Sequence, residues 1–593
     1  MCGICGIYYP NIELNDPSQI ISKMVNAISH RGPDYNNFIF EKNHKILLGH
    51  TRLKIIDLSD DANQPMYSND NRYVIVFNGE IYNFQEIKSL LNYNFRTKSD
   101  TEVILASIKE KGVKWFLQKA NGMFAFSVYD KKNKKLYLAR DRFGIKPLYY
   151  YHDNNKFLFS SETGSIFSSG IIDREIDINS FNEYLAFRYC RAPKTYFKNI
   201  FQLEPAQLIT VENFKVKKEI YWKLPNEFNN EKKYDETSIF ADFENELINS
   251  IKYRNISDVQ LGSYLSGGVD SSLITSILRK VIKRENLKTY SIGFKENNEF
   301  NFSRIVSNKL ETDHNEILIS KNEYLDNWFS LIEKKNAPLG VPNEVPLFKM
   351  SEILKKDITV VLSGEGADEL AGGYGRIFRS DFEFSKQEKQ KNFSDFFIDK
   401  YEYLNKNLRT KILNHKSNFD LNTPDLVNSK SNLEFIFRFF YRNHIQGLLE
   451  RLDFTTMSWG VEARVPFLDH KLVEFSFQKI PSDLKLLWRD ESARMKALHL
   501  KPDTYSEIHD IPKYPIRFIS KKYLPNTIIN RKKIGFPVPL NHWQNELKSI
   551  KNDYLKNSSF FDVNEIDKQL ANGSLNFQNL WMLINLEIFS KLK

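Results

Sequence analysis

Residues 259–283 read VQLGSYLSGGVDSSLITSILRKVIK. The run from Val259 to Leu265 is apolar and β-prone. Ser266, Gly267 and Gly268 break it, and from Val269 onward apolar residues recur at three- and four-residue spacing. That is a strand, a glycine turn and a helix. The same order returns at 357–373, DITVVLSGEGADELAGG, and LKTYSIGF (287–294) adds a further strand. SIFADFENELINSIKYRN (238–255) reads as a helix leading into the first of them. Strands alternating with helices predict a parallel, doubly wound α/β sheet.

Such sheets bind ligands outside the carboxyl ends of their strands. The backbone N–H groups of Ser266, Gly267 and Gly268, the hydroxyls of Ser271 and Ser272 and the helix N-terminus behind them suit an anion. Asp270 suits a Mg²⁺ that bridges phosphate oxygens. Taken alone, Ser-Gly-Gly is equally an ordinary turn with serine caps. The second turn changes the balance, because it sets Glu365, Asp368 and Glu369 at the same edge. An anion-friendly loop beside a carboxylate-rich one fits a nucleotide and its metal.

Upstream the pattern is different. NRYVIVFNGEIYN (71–83) and GMFAFSVYDKKNKKLYLARDRFG (122–144) are β-branched and aromatic with period-two stretches, and DTEVILASIKEKG (100–112) is helical. This is an antiparallel α+β pattern. YWKLPNEFNNEKKYDETS (221–238) is polar, contains Pro225 and lacks periodicity. It predicts a linker between domains at 2–222 and 235–593. Beyond about Lys386 the chain reads as mostly helical, and no repeat appears.

The chain has 593 residues, 84 Lys+Arg against 74 Asp+Glu, and a net charge of +10. That mild, dispersed excess suits small anionic substrates and not a nucleic-acid surface, which needs clustering on one face. The cysteines are Cys2, Cys5 and Cys190. A sparse, odd set argues against a disulfide framework and for a reducing compartment. No apolar run has the length of a membrane span, and MCGICGIYYPNIELND lacks the basic flank of a signal peptide. A cytoplasmic protein is expected, with no nucleic-acid or membrane partner.

The opening MCGICGI admits two readings. Cys2 and Cys5 form a C-x-x-C, which could be a redox pair or half a metal site. Alternatively the initiator methionine is removed and Cys2 carries a thiol and a free α-amine on one residue. The two groups titrate near 8.5 and about 7.7–8.0, so the amine can act as a general base for the thiol.

Taken in chain order, MCGICGI, SHRGPD (29–34), HTRLKIIDL (50–58), FNGEIYN (77–83), KSDTEV (98–103), NGMFAF (121–126), ARDRFGIKPLYY (139–150), LSGGVDSS (265–272), YSIGF (290–294), LSGEGADELAGGY (362–374), VEARVPFLDHKLVEF (461–475) and RKKIGFPVPL (531–540) resemble the glutamine-hydrolysing asparagine synthetases. These join a class II glutamine amidotransferase to an ATP-pyrophosphatase-type synthetase. The resemblance implies an N-terminal-nucleophile αββα sandwich followed by the α/β domain. It selects the second reading of the N-terminus, with Cys2 as nucleophile and Cys5 as a small core residue. It further implies an oxyanion hole from the Asn78 amide and the Gly79 N–H, and glutamine held by Arg52, Glu80 and Asp100. Leu265, Ser266, Gly267, Gly268, Asp270, Ser271, Ile292, Ser363 and Gly364 would bind ATP, and Asp270 and Asp368 Mg²⁺. Glu365 would be the base toward ammonia. Lys533, with Lys532 as its rival, would neutralise the phosphates. Partners would be glutamine, ATP and a carboxylate acceptor, with a homodimer possible.

Several positions depart from the family pattern. After SIGF, an Asp-Glu pair is expected where FNFS (300–303) is read. His314-Asn315-Glu316 stands for His-His-Glu. In NAPLGVPNEVP (336–346), Ala337, Val341 and Asn343 stand where two acids and a serine belong. LLWRDESARMKALHLKPDTYSEIHD (486–510) is also unlike the family. These changes fall toward the acceptor. The expected reaction is aspartate to asparagine. The alternative is the same mechanism on another carboxylate, such as a uronic acid of a surface polysaccharide or a secondary-metabolite acid. A non-catalytic relative is the third reading, and intact Cys2, Asn78, Asp270 and Glu365 speak against it.

Overall fold

The computed structural model of the chain describes residues 2–226, 235–387, 392–415, 419, 426, 429–532, 535–536 and 538–592. The N-terminal part holds two six-stranded antiparallel sheets. In the first, Gly3–Tyr8 lies between Ile46–Arg52 and Phe157–Ser160. In the second, Tyr73–Ile81 pairs with Gly122–Asp130 along its whole length. Alternation of side chains decides the layering. Ile4 and Leu48 of the first sheet meet Val76 and Leu138 of the second. On the outer faces, Cys5 and Leu47 pack with Ile21, Met24 and Val25 of the helix Pro17–Ala27. Ile75 and Phe77 pack with Ile104 and Ile108 of the helix Asp100–Lys111. The result is helix, sheet, sheet, helix, the αββα arrangement expected. The strand Ile46–Arg52 ends at Arg52, and KIIDL (54–58) that follows lies in a loop.

The second part is built on a five-stranded parallel sheet in the order Asp313–Leu318, Lys288–Gly293, Leu261–Tyr264, Val360–Leu362, Glu462–Arg464. The chain starts at the central Leu261–Tyr264, winds outward twice, then crosses back to Val360–Leu362 on its other side. The order of strands therefore reverses between Leu261–Tyr264 and Val360–Leu362. Both glycine turns leave the carboxyl ends of these two strands, at the point where doubly wound sheets open a crevice. The remainder, to the helix Phe577–Ser590, is mainly helical.

Buried charge ties the two parts together. Asp453, on the helix Ile445–Met457, accepts from Arg31 Nη2 at 2.8 Å and from Lys146 Nζ at 3.1 Å. Burial works against the Asp453 carboxylate, yet Arg31 and Lys146 hold its pKa below the ordinary value. Asp469 Oδ2 likewise accepts from Asn121 Nδ2 at 3.0 Å and Arg254 Nη1 at 2.8 Å. Asp453→Ala would leave two buried cations short of a counter-charge. We expect a loss of about 3 kcal/mol, read as a lower midpoint of chemical unfolding.

Candidate active sites

The first site surrounds residue 2. Cys2 N donates to Asn78 Oδ1 at 3.1 Å, Arg31 Nε donates to Cys2 O at 3.2 Å, and Gly3 N donates to Thr51 Oγ1 at 3.0 Å. The start of the first strand is thus held from three directions. Asn78 Nδ2, on the same amide, is buried and has no hydrogen-bond partner among the described residues. A buried orphan donor is costly unless something accepts from it. Burial pushes the Cys2 thiol up, while the Leu53 backbone and the Arg52 charge pull it down. Asn-Gly often marks a hairpin turn, but here Asn78 and Gly79 lie inside a strand, opposite Ala125 and Phe124. Gly79 has φ +153°, and a Cβ there would stand 2.2 Å from Met123 O. Only glycine allows the two strands to approach that closely.

Arg52, Glu80 and Asp100 are all buried around this point. Arg52 Nη1 donates to Ser59 O and Asn63 Oδ1, each at 2.7 Å, and Nη2 donates to Asp57 O. Its fork is therefore fixed by the loop that follows its strand. Asp100 Oδ2 accepts from Ile81 N at 2.9 Å. Burial pushes the Asp100 carboxyl up to about 6, opposed by the Ile81 and Thr101 backbone and assisted by Glu462. Burial, then Glu462 and Asp100, push Glu80 far up against the pull of Arg464, and Glu80 Oε2 has no hydrogen-bond partner. Cys5 is fully buried in its strand, and Cys2, Cys5 and Cys190 are free thiols.

The second site is a cavity of about 280 Å³ at the sheet's switch point. Leu265, Ser266, Gly268, Asp270, Ser271, Ile292, Ser363, Gly364, Glu365 and Asp368 all line it. Gly267 lies behind it: with φ +70°, a Cβ there would come within 2.6 Å of the Phe302 backbone. Ser266 Oγ accepts from Gly268 N at 3.2 Å and meets Ser271 Oγ at 3.1 Å. The hydroxyls brace the turn instead of capping the helix, since Val269–Lys280 starts at Gly268 with no side-chain cap. Its first N–H groups are left for an anion. Glu365 forms an ion pair with Arg451 Nη2, and Arg451 Nη1 donates to Asn343 Oδ1 at 3.1 Å. Lys533 lies outside the described residues. No helix among the described residues is long and apolar enough to cross a membrane.

The glutamine amidotransferase domain family matches residues 1–222, and the asparagine synthase family matches residues 242–591, more than half of the chain. The chain belongs to the asparagine synthase family. Two Bacillus subtilis relatives, asparagine synthetases [glutamine-hydrolyzing] 1 and 3, are similar over nearly the whole length. The first is 31% identical over 94% of this chain and 89% of the relative, the second 30% over 98% and 95%.

Within this asparagine synthase chain the structure adds residues that sequence reading missed. Lys513 Nζ sits 2.6 Å from Asp270 Oδ2 and 2.7 Å from Asp368 Oδ1, so the two carboxylates share one buried ammonium. Asp270 Oδ1 remains buried without a hydrogen-bond partner. Gly373 is required beside them, because a Cβ there would fall 1.7 Å from Asp368 Oδ1. Arg517, Arg531, Glu299 and Glu507 line the same cavity. Glu299 directly precedes FNFS, where an acid was expected, and Glu507 comes from the segment that looked foreign to the family. Both segments therefore do reach the site. The only sequence signal for Lys513 was its charge, which 84 basic residues share, whereas Arg531 opens the RKKIGFPVPL stretch, in which sequence reading singled out Lys533 and Lys532.

One helix touches both sites. On Ile445–Met457, Arg451 holds Glu365, and two residues on, Asp453 holds Arg31, which holds the Cys2 carbonyl.

Proposed function

We propose that the chain makes an amide from a carboxylate, glutamine and ATP through an acyl-adenylate, with aspartate as acceptor and asparagine as product. The division at 2–222 and 235–593 separates its two half-reactions. In the first, the Cys2 α-amine takes the thiol proton as Sγ attacks the glutamine amide carbon. Asn78 Nδ2 and Gly79 N–H receive the oxyanion, each worth roughly 3–4 kcal/mol in the transition state. The amine returns the proton to nitrogen, ammonia leaves, and water hydrolyses the thioester to glutamate. Asp100 and Glu80 face the glutamine ammonium, and Arg52 its carboxylate.

In the second, an acceptor carboxylate oxygen attacks the α-phosphorus of ATP, and the bond to the β-phosphate oxygen breaks. Ser266, Gly268 and Ser271 hold the departing diphosphate, while Leu265, Ile292, Ser363 and Gly364 bound the nucleotide and Gly267 shapes the turn. Asp270 and Asp368 suit Mg²⁺, which is commonly held by one or two carboxylates plus substrate phosphates; the orphaned Asp270 Oδ1 fits a ligand of this kind. Such an ion would neutralise charge on the phosphate oxygens. Ammonia then attacks the acyl carbon, AMP departs, and Glu365 takes the proton from nitrogen. Lys533 is retained as the charge partner of the phosphates.

The observation that carries this reading is the meeting of both glycine turns on one cavity at the sheet's switch point. The test is an assay of the purified chain with glutamine, ATP and aspartate, in which asparagine, glutamate, AMP and diphosphate should form in equal amounts. A second reading, the same mechanism on another acid, is favoured by the apolar side chains of Leu347, Met350 and Leu452 that line the cavity along with Tyr264 and Glu365. AMP formed with a panel acid but not with aspartate selects it.

A pH dependence follows. Burial pushes the Asp100 carboxyl up to about 6, and once protonated it loses its attraction for an ammonium. kcat/KM for glutamine should fall about tenfold per pH unit below this value, whereas synthesis from ammonium should not share the inflection. Asp100→Asn should be slow at every pH and lose it. An unchanged inflection in that variant assigns the titration elsewhere.

A further inference from the structure

Arg531 lines the same cavity from another side of the glycine turn. Its Nη2 lies 2.6 Å from Glu299 Oε1, and its side chain is only 10% exposed. The guanidinium carbon stands 4.4 Å from the centre of the Phe302 ring, so the aromatic face supports it. Nη2 is 3.6 Å from where a Cβ on Gly268 would stand, which places the fork at the glycine turn and the uncapped start of the helix Val269–Lys280. Nη1 is buried and has no hydrogen-bond partner among the described residues. An arginine held at one nitrogen by a carboxylate, backed by a ring, and open at the other nitrogen is arranged to receive an oxygen of a multiply charged oxyanion such as a phosphate.

We propose that Arg531 is the residue by which this site distinguishes a nucleoside triphosphate from a monophosphate. Its free nitrogen takes an oxygen of the β- or γ-phosphate, with Glu299 and Phe302 holding the guanidinium plane. The proposal rests on the ATP reading above and adds a specificity-determining residue to it. The location decides the assignment. Ile292, Leu265 and Gly364 bound the nucleotide, whereas Gly268 and the helix start form the anion end, and Arg531 is at the latter.

The test is equilibrium binding of Mg·ATP, Mg·diphosphate and AMP to the full-length wild type, Arg531→Met and Arg531→Lys by titration calorimetry. Arg531→Met should weaken ATP and diphosphate about ten- to a hundredfold and leave AMP within about twofold. Arg531→Lys should fall between, because it restores a point charge without the fork. Equal weakening of all three ligands would reveal a structural role and overturn the proposal, as would unchanged diphosphate affinity. If the wild type bound neither ATP nor diphosphate, the ATP reading itself would fail. Wild-type binding with an indifferent Arg531→Met sinks this inference alone.

Discussion

Replacing Cys2 with alanine is expected to abolish synthesis from glutamine and to leave synthesis from ammonium salts at the wild-type rate. Cys2 meets Asn78 through its backbone N at 3.1 Å, whereas Cys5 is buried in the outer packing layer with Ile21, Met24 and Val25. No neighbouring group can take over covalent chemistry. Removing a nucleophile of this kind costs on the order of 10⁴–10⁶ in rate. The fold should tolerate the change, because the bonds that fix residue 2 are made by its backbone to Asn78 and Arg31, not by its sulfur. Measuring asparagine from glutamine and from ammonium chloride in parallel gives the answer. Loss of both activities together would mean that the two half-reactions do not occupy separate sites.

The second large effect is at Asp270. Asp270→Asn should stop AMP and diphosphate formation from either nitrogen source while glutamine hydrolysis continues. The substitution keeps the shape of the side chain but removes the charge that Oδ2 offers Lys513, and it replaces one anionic oxygen with a donor. A metal-phosphate site loses several kcal/mol of transition-state stabilisation when a carboxylate ligand is neutralised, on the order of 10³ in rate. Lys513 keeps Asp368 as a partner at 2.7 Å, so collapse of the local structure is not expected. Release of AMP at wild-type rates from this variant would remove Asp270 from the chemistry. Loss of glutaminase alone would place the metal-phosphate site in the wrong domain.

The parts of the molecule that could be read directly were those written in short range. The strand, turn and helix of residues 261–280 follow from composition and spacing over some twenty residues, and so does the repeat of that order at 360–371. Asn78-Gly79 shows where local reading falls short. The dipeptide is a turn signal, but the pairing of two long strands overrides it, and glycine serves there for close packing instead.

From its residues alone, the chain determined two glycine turns after hydrophobic strands and a carboxylate-rich edge. Only the tertiary structure decided which charges meet there. Lys513 is 243 residues from Asp270, and Arg531 reaches the turn at Gly268 from the far end of the chain. Local backbone preferences act over a few residues, whereas a long basic side chain finds its partner through the order in which strands assemble and helices pack over them. Charge alone, without that geometry, names no partner.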